Sequence, residues 1–442
     1  MNYTLETGLR GCLRHPRTMA LAVLTLALGL ASVMTMLTLL SVLSVDPLPG
    51  VSHRLHLAWV DGRPGDKSGS DADATGKPVL PLWKLEDVNA MRQARADIRQ
   101  VALVSAPLSV STVDGDSTHT GSAVLAIGPM LPVFGVPLRH GRFWTPEEEQ
   151  SRTPVVVISR ALSERLLGRA DGTGAEIRIG RHAFRVIGIS ERWAPRPRPH
   201  FLPSYNAGWQ GDGDEVFVPA LAALESGVEV TSTRECEGGG FDGFRFDQVN
   251  VGGCRWLVLW AELKDAAQRE SYARSLQAFA AQRHADGAFE RPAHSWLRPM
   301  ADWLRFNRVV PDSVRLNLWL AVGLLALCLV NVAGLLAARF LRRAGEHGVR
   351  RVLGAPRRAI IAACLVESAL AGLLGGLIAL PLTLAGLWLM RQQGDDYAPL
   401  ARFSPVLFAT LLGLALLTGL LVGLLPALRA ARQEPALQVK TL

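Results

Sequence analysis

Four long apolar runs dominate the pattern of hydrophobic and polar positions: Thr18–Val45, Leu316–Ala338, Ala359–Met390 and Pro405–Leu428. The first, second and fourth carry no charge, and the third carries only Glu367, with Pro381 in its middle. A bilayer core of about 30 Å is crossed by about 20 residues of helix at a rise of about 1.5 Å per residue. Each run is long enough. Backbone polar groups in lipid must bond within the segment, so each run predicts a membrane-spanning helix. A cleaved leader fits the first run poorly, because leader cores hold about 7–15 apolar residues. Within the third run, Gly372, Gly375, Gly376 and Ala379 predict a small-residue face for close packing, and Pro381 predicts a kink. Asn317 and Asn331 in the second run are expected to bond between helices.

The long insert 46–313 reads differently. Nine of the eleven tryptophans fall in it, which predicts a packed core. Gly62–Lys77 is a polar loop, and Arg192–Gly213 is an irregular stretch rich in Pro and Gly. Between them the periodicity is mixed. Pro154–Ile158 predicts a short strand running into a helix over Ser159–Leu167. Ala175–Ile179 and Ala183–Ile189 alternate around Gly180-Arg181 and predict a hairpin. Val216–Val218 and Trp256–Trp260 predict further strands. Asp265–His284 has helical spacing, with Tyr272, Leu276 and Phe279 on one side. The fold class is an α-helical membrane protein with four transmembrane helices and a large mixed α/β extracytoplasmic domain between the first and second.

Charge then sets the orientation. The chain has a formal net charge of +8 and only 19% charged residues, and its positive charges cluster beside the apolar runs. That distribution fits membrane topology better than a nucleic-acid face. Arg10, Arg14 and Arg17 precede the first run. Arg339, Arg342, Arg343, Arg350, Arg351, Arg357 and Arg358 crowd the connection after the second, against the single acid Glu346. Arg429, Arg432 and Lys440 follow the fourth. By the positive-inside rule these three regions face the cytoplasm. The expected organisation is an amphipathic cytoplasmic lead-in (1–17), first span (18–45), outer domain (46–313), second span with its stalk end (314–338) and cytoplasmic loop (339–358). A third span (359–390), a short outer loop (391–404), a fourth span (405–428) and a cytoplasmic tail (429–442) complete it. Glu367 is an intramembrane acid about two turns into its span, where anchoring by Arg357 or Arg358 is expected.

Cys12, Cys328 and Cys364 lie in or beside the apolar runs and read as packing residues. Cys236 and Cys254 are the only two in the outer domain, and an oxidising compartment would make such a pair a disulfide. Two unrelated free thiols are the plain alternative. A zinc site lacks histidines at ligand spacing. No phosphate-binding G-x-x-x-x-G-K-[ST] loop occurs, since Gly76-Lys77 is followed by Pro78. Metal-helix and nucleophile-elbow motifs are also missing. Asp71-x-Asp73-x-Thr75-Gly76 opens like a calcium loop, but its twelfth position is Leu82, so it reads as a polar loop. No catalytic constellation, cofactor or metal site is therefore expected.

The 339–358 loop carries Glu346-His347-Gly348-Val349-Arg350-Arg351-Val352-Leu353-Gly354-Ala355, followed by Glu367-Ser368 and Gly375-Gly376. This resembles the MacB/FtsX-type permease family, whose members carry R-x-x-E-x-G-x-R-R-x-L-G-A between the second and third spans. His347 departs from the family's usual aliphatic residue. The segment Leu9–Arg17, the stretch Ile127–Glu191 with Gly141-Arg142-Phe143, and the ending Pro426–Pro435 resemble the family's lead-in, periplasmic core and tail. Little matches between about 192 and 260, where substrate or partner specificity is expected to reside.

The resemblance implies a permease subunit in the bacterial inner membrane. A separate cytoplasmic ABC ATPase would bind the ATP, and a second permease copy or paralogue would complete the pair. It implies mechanotransmission: ATP-driven closure is passed through the second-span stalk to the outer domain. Export of a peptide, antibiotic-like molecule or other periplasmic substrate is expected, with a periplasmic adaptor and an outer-membrane channel as further partners. Lipoprotein extraction and regulation of a cell-wall hydrolase are the alternatives. The implied ATPase-coupling residues are Glu346, Gly348, Arg350, Arg351, Leu353, Gly354 and Ala355.

Overall fold

The structure is a computed structural model that describes residues 16–63, 80–200, 213–230, 235–236, 244–245, 253–307, 309–343, 345–346, 349, 352–392 and 405–432. The chain divides into two compact units, Met1–Ser44 with Val310–Leu442, and Val45–Val309.

The first unit holds four helices long and apolar enough to cross a membrane: Pro16–Leu43, Asp312–Arg342, Arg357–Arg391 and Pro405–Arg432. The second helix outlasts its apolar run at both ends. Asp312 sits in its first turn and Arg339 and Arg342 in its last, each complementing the helix dipole. The first span packs against the second and third, and the third against the fourth.

Small residues set the closeness of the last contact. A side chain built on Gly372 would begin 2.3 Å from the Ala415 carbonyl oxygen, and one on Gly376 2.6 Å from Ala415 Cβ. The apolar cluster of this unit joins Leu26 and Leu30 to Val332, Leu336, Ala379 and Ala415. Helix continues through Pro381. Asn317 and Asn331, expected to bond between helices, lie instead on exposed faces of the second span. The cause is that this helix buries only a narrow stripe: Leu316, Trp319, Leu320 and Val330 are exposed beside them.

The second unit is built on an eleven-stranded sheet. Its first strands are β1 (Leu55–Val60), β2 (Leu82–Trp83), β3 (Arg99–Thr112) and β4 (Thr118–Ile127). β5 (Leu138–Gly141), β6 (Val155–Ser159), β7 (Glu176–Ile179), β8 (His182–Ser190) and β9 (Val216–Pro219) follow. Two small pairs come next, β10 (Glu229–Val230) with β12 (Phe244–Arg245), and β11 (Glu235–Cys236) with β13 (Cys254–Arg255). β14 (Leu257–Glu262) and β15 (Ser295–Pro299) return to the main sheet.

The strand order is β15-β1-β14-β3-β4-β9-β6-β8-β5, with β2 on β14. β7 pairs with both β3 and β8, so β3, β4, β9, β6, β8 and β7 close into a ring. Such closure removes free edges from that part of the sheet. Inward positions of these strands, among them Leu125, Ile158, Ile177, Phe184, Val186 and Val218, form one core with Tyr272 and Leu276 of the helix Ala266–Ala285.

The local signals act where expected. Ser159 ends β6 and caps the helix Arg160–Leu167, its hydroxyl accepting from Leu162 N at 3.1 Å. Gly168 stops that helix in the left-handed conformation, φ 68°. Asp265 caps the Ala266–Ala285 helix by accepting from Gln268 N at 2.8 Å. β7 and β8 form the expected hairpin. The long β3–β4 hairpin lies outside the strands that the periodicity predicts. The chain leaves the sheet through β15, which is antiparallel to β1 with His56 opposite Pro299.

Candidate functional site

The loop after the second span and the helix ends beside it form the first candidate site. Arg339 and Arg343 are one helical turn apart, so their side chains leave the second span on a shared face. Both reach Glu367 on the third span. Arg339 Nε lies 2.6 Å from Glu367 Oε1, and Arg343 Nη1 donates to Oε2 at 3.2 Å. The Arg339 and Glu367 side chains are each only 4% exposed. Arg343 also faces Glu346, with Nη2 3.5 Å from Oε2.

Glu367 is thus anchored, but not by Arg357 or Arg358. Those residues precede it on its own helix by nine and ten positions, about 14 Å along the axis. The packing of two spans supplies the nearer partners. Ser368, the next residue, fills the space a side chain at Gly423 of the fourth span would take. Glu367 therefore sits where the second, third and fourth helices meet.

Leu353 N donates to Val349 O at 3.0 Å, and Gly354 follows with φ 94°. Leu353 is 81% exposed and Val352 70%, with Val349 exposed beside them. Apolar side chains presented this way are characteristic of a contact surface. Of the predicted coupling residues, Glu346 and Gly354 are exposed and Ala355 is half-buried. Gly348, Arg350 and Arg351 lie outside the described residues. Val349 and Val352 fall at variable positions of the family motif, which does not single them out. Their i, i+3 spacing before Leu353 was the available signal.

In the outer unit, Asp214 gathers a second buried cluster. Its Oδ1 accepts from Ser122 Oγ at 2.7 Å and from Arg198 Nη1 at 3.3 Å, and its Oδ2 lies 2.8 Å from His200 Nε2. The His200 and Asp214 side chains are fully buried. Trp193 stacks on His200 with ring centroids 5.0 Å apart, and Trp193 and Asp214 form an antiparallel bridge. Burial alone would raise the Asp214 carboxyl. The His200 contact, the Arg198 charge and the Ser122 hydrogen bond instead hold it below the ordinary carboxylate range. The cluster ties together the two sides of segment 201–212, which lies outside the described residues along with 64–79 and its calcium-like start.

Cys254 is disulfide-bonded, and the β11–β13 register sets Cys236 directly opposite it. Cys328 and Cys364 are free and buried within the span unit. Cys12 lies outside the described residues, as do the rest of 1–15, residues 393–404 and the last ten residues.

Residues 19–279 match the family described as the MacB-like periplasmic core domain, and residues 319–435 match the FtsX-like permease C-terminal family. The chain is 24% identical over 363 residues to the macrolide export ATP-binding/permease protein MacB of Bdellovibrio bacteriovorus, covering 79% of this chain and 48% of that protein. It is 24% identical over 306 residues to the pyoverdine export ATP-binding/permease protein PvdT of Pseudomonas aeruginosa, covering 69% and 40% respectively. The chain thus spans about half the length of the curated relatives it matches. The periplasmic region of MacB from Actinobacillus actinomycetemcomitans superposes with a TM-score of 0.36 at 13% identity, covering 59% of this chain and 95% of that one. With a core-domain match over more than half its length and a permease match over its last three spans, the chain belongs to the MacB/FtsX-type ABC permease family and is a multi-pass membrane protein with a periplasmic domain.

Proposed function

We propose that the chain couples ATP hydrolysis by a cytoplasmic ABC ATPase to motion of its periplasmic domain, in export across the bacterial envelope. The observation that carries this reading is the exposed Val349–Val352–Leu353 turn in an arginine-rich loop, tied at its base to two spans through Arg343. Exposed apolar side chains in an arginine-rich sequence suit a groove with an acidic rim on a protein partner. The coupling set is then Glu346, Gly348, Arg350, Arg351, Leu353, Gly354 and Ala355, with Val352 added.

The arginine distribution supports a cytoplasmic position for this loop and both termini, in a chain of the inner membrane. A second permease copy or paralogue completes the assembly, and an adaptor and outer-membrane channel receive the cargo. The cargo is a periplasmic peptide or antibiotic-like molecule. Relatives described as exporters of macrolides and of pyoverdine support an export role while differing in what they carry. Cys236 bonded to Cys254 belongs to the same reading, since it requires an oxidising compartment.

The test is capture of the tagged chain from native membranes in mild detergent, with mass spectrometry, for the wild type and Leu353→Asp. Recovery of an ABC ATPase with the wild type and its loss with Leu353→Asp is expected. Equal recovery by both would reject the docking surface, and no ATPase with either would reject the reading. A lipoprotein or a cell-wall hydrolase in place of an adaptor would redirect it to extraction or regulation.

A further inference from the structure

The chain of charges Arg339–Glu367–Arg343–Glu346 is more than an anchor for one buried acid. An unpaired carboxylate inside a span is costly, and it can be neutralised most simply by a single cation. Here both oxygens are engaged, each by a different arginine of the neighbouring helix. Arg343 is then shared outward with Glu346 on the exposed loop. Alternating charges therefore run from Arg339 at the buried end of the spans through Glu367 and Arg343 to Glu346.

One hydrogen bond, from Arg343, and one close ion pair, with Arg339, hold the same carboxylate from residues a full helical turn apart, and together restrict rotation as well as separation of the two helices. On the packed side, Cys364 is buried one turn before Glu367, and Ser368 fills the gap at Gly423. Neither provides an opposing charge.

We infer that Glu367 is a positioning residue: it clamps the ends of the second and third spans through Arg339 and Arg343, so that force on the loop moves both spans as one lever. This rests on the proposed coupling role, but the clamp can be measured without it. Leu341 and Arg358 are exposed near the two helix ends and accept spin labels as cysteines. Cys328 and Cys364 are buried, and a Cys12→Ser background removes the remaining thiol of concern.

In the full chain, a narrow Leu341–Arg358 label distance is expected, broadening in Glu367→Gln and recovering in Glu367→Asp. Arg343→Gln serves as the gentler variant, since it keeps the Arg339–Glu367 pair. An unchanged distribution in Glu367→Gln overturns the clamp, whatever the ATPase does. In the coupled assay, both Gln variants should retain ATPase capture while stimulated hydrolysis falls about tenfold, within the usual range of coupling energies. Capture that falls in step with hydrolysis would show a merely structural role and also overturn the inference. Failure of the wild type to capture any ATPase would instead strike the proposed function, leaving the distance measurement to decide the clamp.

Discussion

Two buried carboxylates, Asp214 in the outer unit and Glu367 in the span unit, solve one physical problem in opposite ways. Asp214 takes two of its partners from its own neighbourhood, Arg198 and His200 lying 16 and 14 positions earlier. Its bonds close a loop onto a sheet that already has a continuous core. Glu367 takes its partners from another helix, and its ion pairs join the second span to the third. The outer unit uses charge to fix a local path, whereas the span unit uses it to couple two long bodies. The lesson is mechanical: removal of the first should cost folding, and removal of the second should cost coordination.

The largest effect that would sharpen this contrast is expected from Asp214→Ala. It leaves Arg198 and His200 buried beside each other, and breaking a buried ionic cluster on one side costs about 3–5 kcal/mol. Near-ultraviolet dichroism of the tryptophan-rich outer unit in a denaturant series reads this out, and a loss below about 1 kcal/mol would break the comparison. The same group sets a pH dependence. Its folded carboxyl is held below the unfolded value, so its contribution is complete above the ordinary range near about 3.9 and drains as pH falls through the depressed folded value. Acid unfolding of the wild type should therefore be steeper than that of Asp214→Ala.

Next in size is Cys236→Ser. A bond to Cys254 closes a short loop, for which about 3 kcal/mol of stabilisation is typical. Alkylation of Cys254 in the variant but not in the wild type, followed by peptide mapping, tests the pairing directly. The smallest effect is expected in the span unit, from Gly372→Val. The added side chain meets the Ala415 carbonyl and forces the third and fourth helices apart, at about 1–3 kcal/mol. A thiol-reactive dye that reports exposure of Cys328 and Cys364 on heating should show an earlier transition.

Much of this architecture was legible in the sequence because single segments carried it. Uncharged runs declared the four spans, Ser159 and Gly168 bounded a helix, and alternation around Gly180-Arg181 gave β7 and β8. The strand β3 escaped because its first half is buried on both faces, so Val101–Ala106 shows no alternation, and Pro107 interrupts the run that follows. Ring closure by β7 depends on partners more than sixty positions apart, which no local period encodes. The same limit explains Glu367. Its acid and its arginines were all visible, but which cation faces it depends on how two spans pack. The exposure of Val352 and Leu353 likewise follows from a turn in three dimensions, whereas the motif showed only that the residues were present.

The adjacency of β1 and β15 has a consequence for how such a chain can change over time. The polypeptide enters the main sheet of the outer unit at β1 and leaves it at β15, and those strands lie side by side and antiparallel. A unit whose two ends emerge together can be lengthened, shortened or exchanged without re-routing the helices on either side of it. In genetic terms the periplasmic domain is a cassette held between two fixed junctions, free to diversify while the membrane frame that carries it stays the same.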